Sequence, residues 1–201
     1  LAFSQYKTFN ARIFIGLMIS GAVYILGYSL ELNGKSLEQI LLFVRFEYFG
    51  AAFIPAFWLL LALSYTDRPH WIKFPRWLLF FVIPIVVIIS VNTNHLHHQF
   101  YRSVALETSG PYPTLEFERG PIYWVHAGYG FFALLSSIIL LGRGLSTPHS
   151  LFRRQTIIML GAAVSMVNIY LLYQLGLQPL PNMDMVAIGL TIASLILGWG
   201  F

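Results

Sequence analysis

Apolar and polar positions along the 201-residue chain fall into long blocks separated by mostly short links. Six apolar blocks approach or exceed the roughly 20 residues that a helix needs to cross a bilayer. They run over about 11–30, 39–65, 76–92, 121–142, 155–176 and 184–201. Pro55 inside the second block and Pro84 inside the third predict kinks, because proline withholds an N–H from the helix ladder. One link is long, about 93–120, and there the period changes. FYRSVAL and TLEFE alternate apolar with polar residues on either side of SGPYP, which predicts a short β-hairpin. No internal repeat or low-complexity tract divides the chain, so residues 1–201 read as a single domain. The pattern predicts an all-α fold: a polytopic transmembrane helical bundle with six visible spans and a short extracellular β-hairpin.

Composition agrees with the pattern. Hydrophobic residues make up 57% and charged residues 10% of the chain, against about 25% charged in a soluble domain. Too few charges remain to solvate a globular surface. The placement of the basic residues orients the bundle. With the first block running outward, Lys7, Arg12, Arg68, Lys73, Arg76, Arg143, Arg153 and Arg154 fall on the cytoplasmic side. Only Lys35, Arg45, Arg102 and Arg119 fall outside, while every acid except Asp67 does. The net charge of +4 then reflects inner-leaflet anchoring, and no nucleic-acid partner is expected. No cysteine is present, which removes disulfide and thiolate chemistry.

NTNHLHHQFY (92–101) begins where the third block leaves the membrane, and it holds three of the six histidines. Adjacent His97 and His98 would splay by about 100° on a helix. His95 and His98 could share a face and are the metal candidates, with Glu116, Glu118 and His126 as further donors if the hairpin folds back. Protonation of these imidazoles is a second reading. A structural outer corner, contributing Asn94, His97 and His98 to a ligand site, is the third and the one preferred. No metal and no cofactor are expected.

The remaining polar residues crowd the same side of the membrane. Glu31 ends the first block, Arg45, Glu47 and Tyr48 lie in the outer turns of the second, and Asp184 starts the sixth. Tyr123, His126 and Tyr129 open the fourth block near one face, and Asn168 is polar within the fifth. Charged groups in hydrocarbon usually face the bundle interior and find partners. One reading is a polar pocket opening outward, with Arg45 paired to Glu31 or Glu47. Glu31 is the better partner, because Glu47 points about 200° away from Arg45 around its helix. The other reading puts these groups in the headgroup zone, as a belt of aromatic and charged side chains.

Six pieces in order resemble a known family: GYSLEL (27–32), FVRFEYFGAAFIPAFWLLLALSYTDR (43–68), NTNHLHHQFY (92–101), RGPIYWVHAGY (119–129), FRRQ (152–155) and LGLQPLPNMDM (175–185). They resemble the seven-transmembrane sensor region at the N-terminus of bacterial membrane histidine kinases. The resemblance implies an input domain that detects an extracellular or membrane-borne signal and passes it to a cytoplasmic output module. It implies no particular ligand. Because that family has seven spans, LAFSQYKTF reads as the link after a missing first helix, and the output module is expected beyond Phe201. Expected partners are the bilayer, a small-molecule or lipid ligand and a second copy of the chain, in the bacterial cytoplasmic membrane with loop 93–120 outside. No GxSxG, HExxH or Walker pattern occurs, so no catalysis is expected of this region itself. Two further classes stay open: a membrane redox, haem or metal protein using His126 with another histidine, and a small transporter.

Overall fold

The computed structural model describes residues 9–66, 73–108, 113–145, 153–177 and 184–200. Its helices are α1 (Phe9–Glu31), α2 (Leu37–Ala51), α3 (Ile54–Ser64), α4 (Val82–Asn92), the single turn α5 (Asn94–His97), α6 (Pro121–Leu145), α7 (Arg153–Gln174) and α8 (Met185–Gly200). Strands β1 (Tyr101–Glu107) and β2 (Thr114–Arg119) form a two-stranded antiparallel sheet. Among the described residues, four helices are long and apolar enough to cross a membrane: α1, the α2–α3 unit Leu37–Ser64, α6 and α7. Arg76–Asn92 and Met185–Gly198 are apolar but shorter. Six independent full-length spans are therefore not what helix length alone supports.

Local chemistry explains the boundaries. Ser36 caps α2, its hydroxyl accepting from the Gln39 N–H at 3.3 Å, while Gln39 Oε1 accepts from the Lys35 N–H at 3.0 Å. Pro121 occupies the first position of α6, where its missing N–H has no helical acceptor to lose. Gly176 ends α7 at φ 69°. Its N–H returns to the Tyr173 carbonyl at 3.1 Å and the Leu177 N–H to the Leu172 carbonyl at 2.9 Å, the paired bonds of a left-handed helix stop. The second apolar block is interrupted at Ala52–Phe53, directly before Pro55, which lacks the N–H that would bond the Ala51 carbonyl. The third block opens as a 3₁₀ turn, Arg76–Phe81, and becomes α-helical at Val82, two residues before Pro84.

In the hairpin, Val104 pairs with Phe117, Ala105 with Glu116 and Leu106 with Leu115, with an irregularity between Tyr101 and Val104. Tyr101, Val104, Leu106, Leu115 and Phe117 turn toward the bundle while Arg102, Glu116 and Glu118 stay exposed, the period of two expected of a half-covered strand. Residues 109–112 of the expected turn SGPYP lie outside the described residues, as do 1–8 of LAFSQYKTF, Arg68, Phe152 and 178–183.

The α2–α3 unit is the most buried of the candidate spans and packs against α1, α4 and α6. Away from the hairpin the core is apolar and close-packed: Leu17, Leu60, Leu61, Leu141, Met159 and Leu197 are all essentially sealed. Small residues at the contacts, among them Ala62 and Ala163, let backbones approach. A second cluster around Ile40, Val87, Phe100 and Tyr123 seats the hairpin on the helix ends. Ile19, Leu26, Phe132, Ile139, Ile157 and Leu195 point outward, an apolar exterior suited to lipid rather than water.

Candidate functional site

The site begins with two glycines. Where α1 crosses α2, a Cβ on Gly27 would stand 2.7 Å from the Glu47 Cα, and one on Gly50 would overlap the Ser20 carbonyl and the Tyr24 N–H. Only hydrogen at these positions allows such contact. The crossing drives Glu47 into α1, where it is 7% exposed. Glu31, one turn beyond Gly27, then meets it, carboxyl to carboxyl. Glu47 Oε2 is buried and has no hydrogen-bond partner among the described residues.

Asp184 closes the group from the start of α8. One carboxylate oxygen accepts from the Val186 N–H at 2.8 Å, the other accepts from the Tyr24 hydroxyl, and the Asp184 N–H donates to the Tyr28 hydroxyl at 2.6 Å. Tyr24, Tyr28 and Glu31, spaced four and three apart, lie on one face of α1.

These residues wall a cavity of about 450 Å³. Tyr48, Tyr123, His126, Tyr170 and Tyr173 supply further walls, and Trp58, Met166 and Leu190 an apolar floor. The hairpin roofs it through Tyr101, whose hydroxyl donates to that of Tyr48 at 3.4 Å. Burial pushes the Tyr101 phenol well above its ordinary value, keeping it neutral. Phe100 buttresses the roof, with ring centroids 5.0 Å from Tyr48 and 5.7 Å from Tyr123. The Trp58 Nε1–H and His126 Nδ1 are buried without partners among the described residues. Buried polar atoms are normally paired, so a cavity bordered by three that are not is a place where something else can bond.

Arg119 stands outside this wall. Its guanidinium lies 5.3, 5.4 and 5.8 Å from the ring centroids of Tyr123, Trp124 and Tyr173, and it donates to the Gln174 carbonyl at 3.3 Å.

The structure brings together Glu31, Glu47, Tyr48, Tyr123, His126 and Asp184 of the expected residues. It does not bring in Arg45, which is half-buried, does not line the cavity, and makes no ion pair with Glu31 or Glu47 among the described residues. The expected Arg45–Glu31 pair is corrected to a Glu31–Glu47 contact: the glycine crossing turns Glu47 inward, and Arg45, about 200° away, faces elsewhere. Tyr129 also leaves the group, its hydroxyl donating to the Phe80 carbonyl at 2.8 Å. Six residues on from Tyr123 is about 120° of rotation, too much for one face. Asn168 is exposed and bonds back to the Val164 carbonyl at 2.8 Å.

The histidine stretch is a self-contained corner. Asn94 Oδ1 accepts from the Phe100 and Tyr101 N–H groups at 2.9 and 3.1 Å, and its Nδ2 donates to the Tyr101 carbonyl at 2.9 Å. His97 accepts from the Gln99 N–H at 2.9 Å and its other nitrogen bonds the Thr93 hydroxyl at 3.1 Å. His98 turns the chain at φ 51°, and His95 is exposed. Among the described residues no three His, Asp or Glu side chains are grouped to hold a metal ion. Sequence reading missed Tyr24, Tyr28, Trp58 and Tyr173. The tyrosine–tyrosine–glutamate spacing on α1 was the available signal.

The match to known proteins is at the level of family. The family model for the N-terminal 7TM region of histidine kinase matches residues 1–201, the whole chain, and the chain belongs to that family. The family marks it as a membrane-embedded sensory input region. None of the curated proteins compared matches it.

Proposed function

We propose that this chain is the membrane-embedded sensory input domain of a bacterial signal-transduction histidine kinase, reading an extracellular or membrane-borne signal in the cavity under the hairpin. Six segments cross the bilayer, four by helices of full length and two by Arg76–Asn92 and Met185–Gly198 with their flanking residues. The arginine asymmetry puts the hairpin outside the cytoplasmic membrane and passes the signal inward to an output module. The chain acts as one domain, pairs with a second copy, and does no chemistry of its own.

One observation carries the reading: α8 has one end in the cavity and the rest in the apolar core. Asp184 is bonded to Tyr24 and Tyr28, while Leu190, Ala193 and Leu197 on the same helix are buried among the other helices. Occupancy at Asp184 therefore acts on a rigid rod whose far end is gripped.

Topology and signalling are tested together in the full-length protein. Single cysteines replacing Ser103 and Lys73, both exposed, report the two sides in this cysteine-free region. Ser103→Cys should react with an impermeant reagent in intact cells and Lys73→Cys should not. In nanodiscs, Glu47→Gln should fix autophosphorylation at one level while leaving the protein folded. Wild-type regulation in Glu47→Gln would remove the cavity from the signalling path.

A further inference from the structure

We infer that the cavity binds an organic ammonium ion, its cationic head among Glu47, Glu31 and Asp184 and its apolar body toward Trp58. The inference rests on the sensory reading only for its biological use; the binding stands on the cavity itself.

Charge is the first argument. Glu31, Glu47, Asp184, Glu107 and Glu116 all line the cavity, and no lysine or arginine does so among the described residues. A carboxylate or phosphate ligand would find no lysine or arginine among the described lining residues and would face the carboxyl cluster of Glu31, Glu47 and Asp184. A cation would find the reverse, and attraction between charges strengthens where burial lowers the screening.

The walls are the second. Tyr24, Tyr28, Tyr48, Tyr123, Tyr170 and Tyr173 line the cavity with the carboxyl groups, and aromatic faces attract ammonium ions, weakly hydrated quaternary ones included. Arg119 shows that two of these rings, Tyr123 and Tyr173, already hold a cation.

Third is the bonding of Glu47. The residue is 7% exposed and borders the cavity, and its Oε2 has no hydrogen-bond partner among the described residues. Asp184, by contrast, is bonded at both oxygens. An ammonium N–H or polarised N–CH₃ beside Glu47 completes its bonding. Hard divalent ions are a poorer fit, since they want six or more oxygen ligands in a shell and no such grouping is present among the described residues. The volume of about 450 Å³ and the apolar floor suit a compact aryl- or alkylamine. Such a head can be a free amine or the headgroup of a membrane lipid.

The test uses the full-length protein in phosphatidylglycerol nanodiscs and benzyltrimethylammonium as probe, with binding followed by calorimetry. Saturable binding is expected, with neutral neopentylbenzene, the same shape without charge, at least about tenfold weaker. Glu47→Gln, which preserves volume, should weaken the cation by about tenfold or more, while Glu38→Gln, exposed and outside the cavity, should not. Equal affinity for cation and isostere in the wild-type protein overturns the proposal without relying on any variant, as does absence of saturable binding. So does unchanged affinity in a folded Glu47→Gln. A second set of discs containing phosphatidylethanolamine separates the sources: competition by the lipid assigns the site to a headgroup, and its absence to a free amine. Autophosphorylation measured in the same discs keeps the two claims apart. Binding with unaltered output upholds the ammonium site and removes its sensory use, whereas regulated output without binding does the opposite.

Discussion

The corner at 92–101 and the cavity beneath it hold similar polar inventories in opposite states. In the corner, three histidines and Asn94 look chemically loaded, yet Asn94 and His97 spend their bonds on neighbouring backbone and on Thr93. In the cavity, the residues come from helices that read as plain spans, yet Glu47, Trp58 and His126 keep atoms without partners. Polar density alone separates a hinge from a site poorly; unmet bonding separates them well. The corner is the scaffold that carries Phe100 and Tyr101 into place, and the cavity is where bonding capacity is left over.

The sharpest way to break this contrast is to separate the helices that create it. Gly27→Leu forces a side chain into the Glu47 backbone and should cost about 3 kcal/mol or more, with loss of folded protein after mild heating in detergent and loss of any regulated output. Unchanged thermal stability would mean that the α1–α2 contact is not what places Glu47.

Next in size is the corner's own staple. Asn94→Ala strands two backbone N–H groups and a carbonyl and should cost about 2–3 kcal/mol. The loss should appear first at the hairpin, as faster hydrogen exchange in 100–119 than in α3. Uniform acceleration across the chain would contradict a corner that folds around Asn94.

The smallest effect is expected from the residue that first looks most reactive. His98 sits at φ 51° and ψ 31°, a left-handed conformation that favours glycine. His98→Gly should change stability by less than about 1 kcal/mol and leave signalling intact. Loss of signalling in the folded variant would restore a ligand role to the histidines.

Much of the fold was legible because bilayer physics writes in long blocks. The positions of α1, α6 and α7 follow from apolar length, the hairpin from its alternation, and the break before Pro55 from proline's missing N–H. Span length was less legible in 76–92, where composition is apolar but Pro84 and the 3₁₀ opening shorten the regular helix. The site was half legible. Glu31, Glu47, Tyr48, Tyr123, His126 and Asp184 stand out as polar residues at block ends, and they do converge. Their pairing was not readable from charge. Opposite signs favour Arg45 with Glu31, but backbone approach decides, and the two hydrogens of Gly27 and Gly50 carry that decision without any polar signature. Tyr24 and Tyr28 were not singled out, because a tyrosine's partner is invisible until the helix across from it is known.

The interruption before Pro55 makes the central span two rods sharing a joint, and that joint is the lower rim of the cavity, where Ile54 and Pro55 line it. A continuous helix pushed at Glu47 would slide as one piece. Here the missing Ala51–Pro55 bond places the weakest bending resistance a turn or two below the push. The expected motion is a change of angle, with α3 as the lever arm and the elbow beside the cavity. A displacement of a fraction of an ångström at the fulcrum then grows along the arm, so the chain carries its own mechanical gain in the position of a single imino acid.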